Sequence, residues 1–163
     1  MSDEYELSSL TPHFKRLSAD LLHVKELEIV NDDGKCVMQL YAGDNGCPQI
    51  SLLDFKGNQR AVLFLTDDGK PTITFLNAKE ESQLAVMVTD DDEPLIKLYG
   101  NGKTTRMAIY TSDDRPAINL YDTSERLRFS TYISDDQNPT VSLYDEAEQL
   151  SKQIVPEGVE PLT

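Results

Sequence analysis

The sequence predicts an all-β fold, an antiparallel up-and-down meander of 11–12 strands built from six hairpin repeats, with one short N-terminal helix. Three observations predict it: regularly spaced prolines, apolar–polar alternation after each of them, and turns whose lengths keep the apolar positions on one face. Self-similarity at a fixed period of this kind indicates a tandem array of supersecondary units. Each unit is long enough for one β-hairpin.

The prolines recur every 22 or 23 residues and open the same phrase. They are Pro48, Pro71, Pro94, Pro116 and Pro139. Each proline begins one alternating stretch, and a second alternating stretch follows it after a short polar segment. A sixth copy without proline covers residues 25–31. Because apolar residues recur with period two in both stretches, both are predicted strands.

Four segments follow along the chain. Residues 1–10 are predicted to be a flexible N-terminus, and residues 11–24 an amphipathic helix. Thr11 and Pro12 are typical of a helix start, and Leu10, Phe14, Leu17 and Leu21 recur at helical spacing. Residues 25–150 form the β-hairpin repeat domain, and residues 151–163 hold a weak last strand and a C-terminal tail.

Parity of the loops determines how the strands pair. Within a repeat we expect a four-residue loop, residues 55–58, because equivalent faces then pair. Between repeats we expect three residues, Asp67, Asp68 and Gly69, in a type I turn with a G1 bulge. In the 22-residue repeat this turn is shortened to Asp113 and Asp114, since a deletion within a strand would reverse its face.

One face of the predicted sheet is almost wholly apolar. Between residues 27 and 143 it has 27 positions, and only Thr111 and Thr131 among them are polar. We therefore expect this face to be buried, since aliphatic side chains are stabilised by leaving water. Two arrangements achieve that: a closed barrel around the N-terminal helix, or an oligomer in which several sheets share one core.

The repeat phrase itself resembles known sequences. Asp68-Gly69-Lys70-Pro71-Thr72-Ile73 and residues 52–60 follow the pattern Asp-Gly-x-Pro-x-Ile-x-Leu-x-Asp-x-x-Gly-x-x-Arg. This pattern resembles tandem repeats of uncharacterised bacterial proteins over residues 25–145. The resemblance implies a repeat fold and a bacterial or phage origin, and it implies no activity.

Acidic residues crowd the turns at one end of the predicted sheet. The turns hold eleven acids: Asp44, Asp67, Asp68, Asp90, Asp91, Asp92, Glu93, Asp113, Asp114, Asp135 and Asp136. Aspartate is common in tight turns and discourages aggregation of sheet edges, so turn chemistry explains most of this pattern. The alternatives are a calcium site shared by neighbouring turns, which would use Asp67, Asp68, Asp90, Asp91, Asp113, Asp114, Asp135 and Asp136, or a basic protein partner.

The polar face carries the second candidate site. The expected loop length pairs Tyr99 with Arg106, Tyr121 with Arg128 and Leu53 with Arg60. Tyr41, Tyr110, Tyr132 and Phe64 form a parallel column. Such cross-strand pairs stabilise a sheet, and a flat surface of rings and guanidinium groups can also bind a sugar or a protein. The candidate binding residues are Tyr99, Arg106, Tyr110, Tyr121, Arg128 and Tyr132.

The net charge and the motifs of the sequence limit the classes of function that we expect. A net charge of −14 and a pI near 4.4 argue against direct nucleic-acid or membrane-surface binding. No nucleophile motif, phosphate loop or metal-ligand spacing occurs, so we expect no enzyme and no cofactor. Cys36 and Cys47 are interpreted as reduced structural thiols, and the acidic N-terminus does not resemble a signal peptide.

These features predict a non-catalytic structural or protein-interaction module that forms a homo-oligomer and lies in the cytoplasm, or in a virion if the source is a phage. Two alternatives stay open: a calcium- or carbohydrate-binding module, and an acidic mimic of nucleic acid that inhibits a DNA-binding protein.

Overall fold

A computed structural model of the chain describes residues 18–43 and 46–156. These residues form twelve strands and one short 3₁₀ turn. The strands are β1 (Glu26–Val30), β2 (Cys36–Ala42), β3 (Pro48–Leu53), β4 (Gln59–Leu65), β5 (Pro71–Leu76), β6 (Ser82–Val88), β7 (Pro94–Tyr99), β8 (Thr105–Ser112), β9 (Arg115–Tyr121), β10 (Leu127–Ile133), β11 (Pro139–Tyr144) and β12 (Leu150–Ile154). The 3₁₀ turn, Asn101–Lys103, connects β7 to β8. The prediction of an all-β meander is confirmed.

All twelve strands belong to one antiparallel sheet in which spatial order equals chain order. Because β1 and β12 are its two edges, the sheet is open, and the described residues do not form the closed barrel that was one of the two expected arrangements. Each strand packs chiefly against its two neighbours, so the described residues form a single layer. The predicted weak last strand is present as β12.

The turns between repeats match their predictions. Leu65 lies opposite Pro71 and Leu63 opposite Ile73, and the shortened turn places Thr111 opposite Pro116. Gly69 adopts the left-handed conformation, with φ of 83°, that the G1 bulge requires. In other repeats Asp92 and Gln137 occupy this position with φ of 62°. Turn geometry therefore overrides the steric preference of a side chain there.

The loops within repeats differ from the prediction. The Asp54 N–H donates to the Asn58 carbonyl at 2.9 Å and the Gly57 N–H to the Asp54 carbonyl at 2.9 Å, which is the same compact turn as at the other end. The expected four-residue loop is wrong by one residue. The extra residue is absorbed by a β-bulge inside β4, where Leu53 lies opposite Gln59 but Leu52 lies opposite Ala61.

Only part of the predicted N-terminal helix lies within the described residues. Residues 11–17 lie outside the described residues, as does the flexible N-terminus predicted over residues 1–10. Residues 18–24 are described and form no helix, so the predicted helix does not extend to residue 24. Leu21 and Leu22 are exposed. Within the described part of the chain, no helix is long and apolar enough to span a membrane.

Candidate interaction surfaces

Alternation along the strands gives the sheet two different faces. We call one the aliphatic face, and it consists mainly of two continuous rows. The isoleucine row is Leu40, Ile50, Leu63, Ile73, Val86, Ile96, Ile109, Ile118, Thr131 and Val141. The leucine row is Met38, Leu52, Ala61, Phe75, Leu84, Leu98, Met107, Leu120, Phe129 and Leu143. The sequence therefore placed these residues on one face correctly.

The aliphatic face is open to solvent within one chain. Eight members of the two rows keep 38–47% of their surface exposed, with Leu52 at the upper and Leu143 at the lower limit. Leu27 and Ile29 extend the exposed face onto β1. The expectation that this face is buried is not met within a single chain, because the sheet neither closes nor acquires a second layer among the described residues.

The opposite, polar face is better covered although it too has no second layer. Its central row is Ser51, Val62, Thr74, Ala85, Lys97, Ala108, Asn119, Ser130 and Ser142. Seven of these nine residues are no more than 8% exposed. Most are small, and side chains on either side contact two of them: Gln49 and Gln59 donate to the Ser51 hydroxyl, and Tyr110 and Tyr121 accept from the Asn119 amide. The sheet thus makes a thin core from its own neighbouring side chains.

Asn119 connects two of the predicted binding residues. Its side-chain amide nitrogen donates to the hydroxyl oxygens of Tyr110 and Tyr121, both at 3.1 Å. Its Oδ1 atom is buried and has no hydrogen-bond partner among the described residues. Tyr132 lies in the same row as Tyr110, on the far side of Ala117, and accepts a hydrogen bond from Gln153 at 3.2 Å. Tyr110, Tyr121 and Tyr132 thus belong to one polar face.

The predicted tyrosine–arginine pairs are wrong in register. Tyr99 lies opposite Thr105 and Tyr121 opposite Leu127, because the bulges make Arg106 and Arg128 the extra residues of their strands. Leu53 likewise lies opposite Gln59 rather than Arg60. Partial burial raises the pKa of the Tyr99 hydroxyl. Of the candidate binding residues, Tyr110 and Tyr132 line one surface depression, together with Arg115 and Ala117.

The arginines instead link neighbouring hairpins. The Arg106 guanidinium donates to the Asp122 carbonyl in the next turn at that end of the sheet. Arg128 donates from Nε to the Tyr144 carbonyl of the next hairpin at 3.2 Å, and its Nη1 also donates to the Asp122 carboxylate of its own hairpin at 3.4 Å. Arg126 adds a bond to the Glu146 carbonyl at 2.9 Å. These cations therefore tie the repeats together along the sheet.

Turn glutamates make a second set of links. Glu80, Glu125 and Glu148 occupy the left-handed turn position, with φ of 57–59°. Their carboxylates accept hydrogen bonds from the backbone N–H groups of Gln59, Thr105 and Leu127 in the preceding hairpin. These links are not among the contacts predicted from the sequence. One sequence feature could have indicated them: these repeats have a glutamate at the turn position where the second repeat has a glycine.

Ion pairs and a hydrogen bond from the Asp113 N–H to the Glu93 carboxylate join neighbouring turns at the acidic end. Lys70 pairs with Asp92, and Arg115 pairs with Asp113 and Asp135. The hydrogen bond from the Thr66 hydroxyl is the main cause that holds the pKa of Asp68 below its ordinary value. Over the described residues, no three histidine, cysteine, aspartate or glutamate side chains converge as a metal site would require. Asp44 lies outside the described residues.

Cys36 and Cys47 are both half-buried, and no disulfide joins them. Cys36 contacts the Met38 carbonyl at 3.4 Å and Cys47 the Thr66 carbonyl at 3.4 Å. His23 lies in the exposed segment before β1, and His13 lies outside the described residues.

Comparison with known proteins adds no relationship to this geometry: no family model and no curated protein matches the chain.

Proposed function

We propose that this protein is a non-catalytic structural or protein-interaction module that self-associates through its aliphatic face. The observation that supports the proposal is the pair of continuous aliphatic rows, eight of whose members are 38–47% exposed in one chain. Exposed apolar surface on this scale is typical of interaction sites rather than of free monomers.

The size of the face supports the same proposal. Twelve strands with a spacing of about 4.8 Å extend the sheet over about 53 Å, and strands of six or seven residues are about 20 Å long. The face therefore covers about 1,000 Å², whereas the largest apolar patch of an ordinary monomer is about 300–600 Å². A protein that kept this face in water would lose much of the hydrophobic stabilisation that folding needs.

The test is the mass in solution. Light scattering at micromolar concentration is expected to give a multiple of the 18.3 kDa chain mass. Leu98→Lys, on the aliphatic face of β7, is expected to reduce that mass, because a charge would be buried in the interface. Leu95→Lys, on the polar face of the same strand, is the matched control and is expected to keep the mass of the parent. A mass of 18.3 kDa for the parent chain would contradict the proposal.

Circular dichroism separates dissociation from unfolding. A Leu98→Lys chain that keeps a β-sheet spectrum at lower mass supports association through this face. Leu98→Lys can also be unfolded while Leu95→Lys is folded and associated. In that case the parent is cross-linked over a dilution series as the second measurement. A parent that gives no cross-linked oligomer at any concentration contradicts the proposal.

A further inference from the structure

We infer that the aliphatic face is covered by the same face of a second copy of the chain. Each strand lies over the corresponding strand, and the acidic turn ends of the two copies are at opposite edges. This inference rests on the proposed function, since it names the partner and the geometry of that association. The result is a two-layer sandwich related by a two-fold axis that runs along the sheet, perpendicular to the strands.

The area of the aliphatic face indicates that a second copy of the chain, rather than the N-terminal segment, covers it. A helix over residues 11–24, as the sequence predicts, would be about 21 Å long and 10 Å wide and would cover only about a fifth of the face. Residues 18–24 form no helix, which shortens it further. A second copy covers the whole face and buries about 1,000 Å² on each chain, a total of about 2,000 Å², which is the size of a stable obligate interface.

The charges of the turns favour one of the two ways in which the sheet ends of the two copies can be placed. Among the described residues, the turns at the acidic end hold ten acids and two bases, Lys70 and Arg115. The turns at the other end also hold ten acids, but they have five bases: Lys35, Lys56, Lys79, Lys103 and Arg126. Because packed sheets are about 10 Å apart, charges across the sandwich interact at about one Debye length. Placing the acidic ends at opposite edges brings the five bases near the more acidic turns.

Side-chain size agrees with this orientation. An axis that passes through the middle of the strands lies between the two rows and places the isoleucine row of one copy over the leucine row of the other. Ala61 is the smallest member of the leucine row, and its counterpart on the same strand is Leu63. Thr131 is the smallest member of the isoleucine row, and its counterpart on the same strand is Phe129. Large residues thus face small ones at both places, as close packing of two sheets requires.

Spin-label distances test the orientation. Cys36 and Cys47 are replaced by serine, and a label is placed at Asp91→Cys in the turn between β6 and β7. With the acidic ends at opposite edges, labels on two copies are expected to lie at least about 20 Å apart, the length of a strand. A mixed sample, with Asp91→Cys on one copy and Ala78→Cys on the other, is expected to give a short distance of about 10–15 Å, because the β5–β6 turn of one copy lies beside the β6–β7 turn of the other.

The outcomes separate the two proposals. A monomeric mass overturns the proposed function and this inference together. An associated protein whose mass is that of a trimer or larger assembly overturns only the two-copy geometry. A dimer in which two Asp91→Cys labels lie about 10 Å apart, or in which the mixed sample lacks the short distance, also overturns only the geometry. A dimer with both expected distances supports it.

Discussion

The Glu125 carboxylate accepts a hydrogen bond from the backbone N–H of Thr105, at 2.6 Å, across the gap between two neighbouring hairpins. Glu125 holds the left-handed turn position with φ of 59°, where glycine would be the unstrained choice. Thr105 lies next to the bulge at Arg106, where the regular ladder is interrupted. The glutamate therefore supplies a hydrogen-bond partner for an N–H beside the irregularity, at the cost of local backbone strain.

Substitutions at this turn position are expected to separate the contribution of the hydrogen bond from the cost of the strained backbone. Glu125→Ala removes the hydrogen bond and keeps the left-handed backbone, so the free energy of unfolding is expected to fall by about 1 kcal/mol. Lys103 has the same conformation, with φ of 64°, but its side chain makes no hydrogen bond to any residue that the structure describes. Lys103→Gly is therefore expected to raise the free energy of unfolding by roughly 0.5 kcal/mol. Urea denaturation measures both, and equal effects of the two changes would contradict this reading.

Two buried serines at the same position of different repeats are expected to respond differently to alanine. The Ser51 hydroxyl accepts hydrogen bonds from Gln49 at 2.8 Å and Gln59 at 3.2 Å. The Ser142 hydroxyl is buried and has no hydrogen-bond partner within residues 18–43 and 46–156. Ser51→Ala is expected to lower the free energy of unfolding by about 1 kcal/mol, while Ser142→Ala is neutral or stabilising, because it removes an unsatisfied polar group. Chemical denaturation of the pair is the measurement, and a larger loss for Ser142→Ala would refute the assignment.

Acidification tests the turn carboxylate of Asp122. Its partial burial works to raise its pKa, but hydrogen bonds from the Ser124 and Arg126 N–H groups and from the Arg126 guanidinium outweigh this and hold the pKa below its ordinary value. A pKa that is lower in the folded state means that Asp122 stabilises the fold above the unfolded value of about 4 and loses this contribution as the pH falls through the folded value.

Between pH 5 and pH 2 the parent is therefore expected to lose more stability than Asp122→Asn. Asp136→Asn is the control, because no described residue donates a hydrogen bond to the Asp136 carboxylate, and the stability of this variant is expected to fall with pH as that of the parent does. Thermal melts across this range provide the measurement. Parallel curves for the parent and Asp122→Asn would contradict the expected role.

Salt is expected to stabilise the protein through the acidic end. Ten acids against two bases in the described turns repel one another, and added ions screen this repulsion over about 10 Å at 0.1 M. Sodium and calcium chloride at matched ionic strength are expected to raise the melting temperature almost equally. Asp91→Asn is expected to raise it slightly and to weaken the salt response. A calcium-specific rise that a chelator reverses would instead support the calcium-binding alternative.

The sequence by itself determined the repeat, the strand positions and the residues of each face, because these follow from periodicity. Period-two alternation assigned Leu63 and Ile73 to one face, and the odd loop between them required them to pair. Parity also placed the deletion in the Asp113–Asp114 turn, since any other position would have reversed a strand.

Only the tertiary structure decided features that depend on local hydrogen bonds and on long-range closure. A bulge adds one residue to a strand, and the later side chains then stay on the same faces as they would after a loop one residue longer. The sequence therefore could not show that Arg106 and Arg128 are extra residues rather than partners of Tyr99 and Tyr121. Contacts between turns about 20 residues apart, such as Glu125 with Thr105, leave no periodic signal. Finally, a two-faced pattern shows that Leu63 belongs to an apolar surface but not whether the sheet curls to cover it, because closure depends on the meeting of β1 and β12, which in this structure remain separate edges.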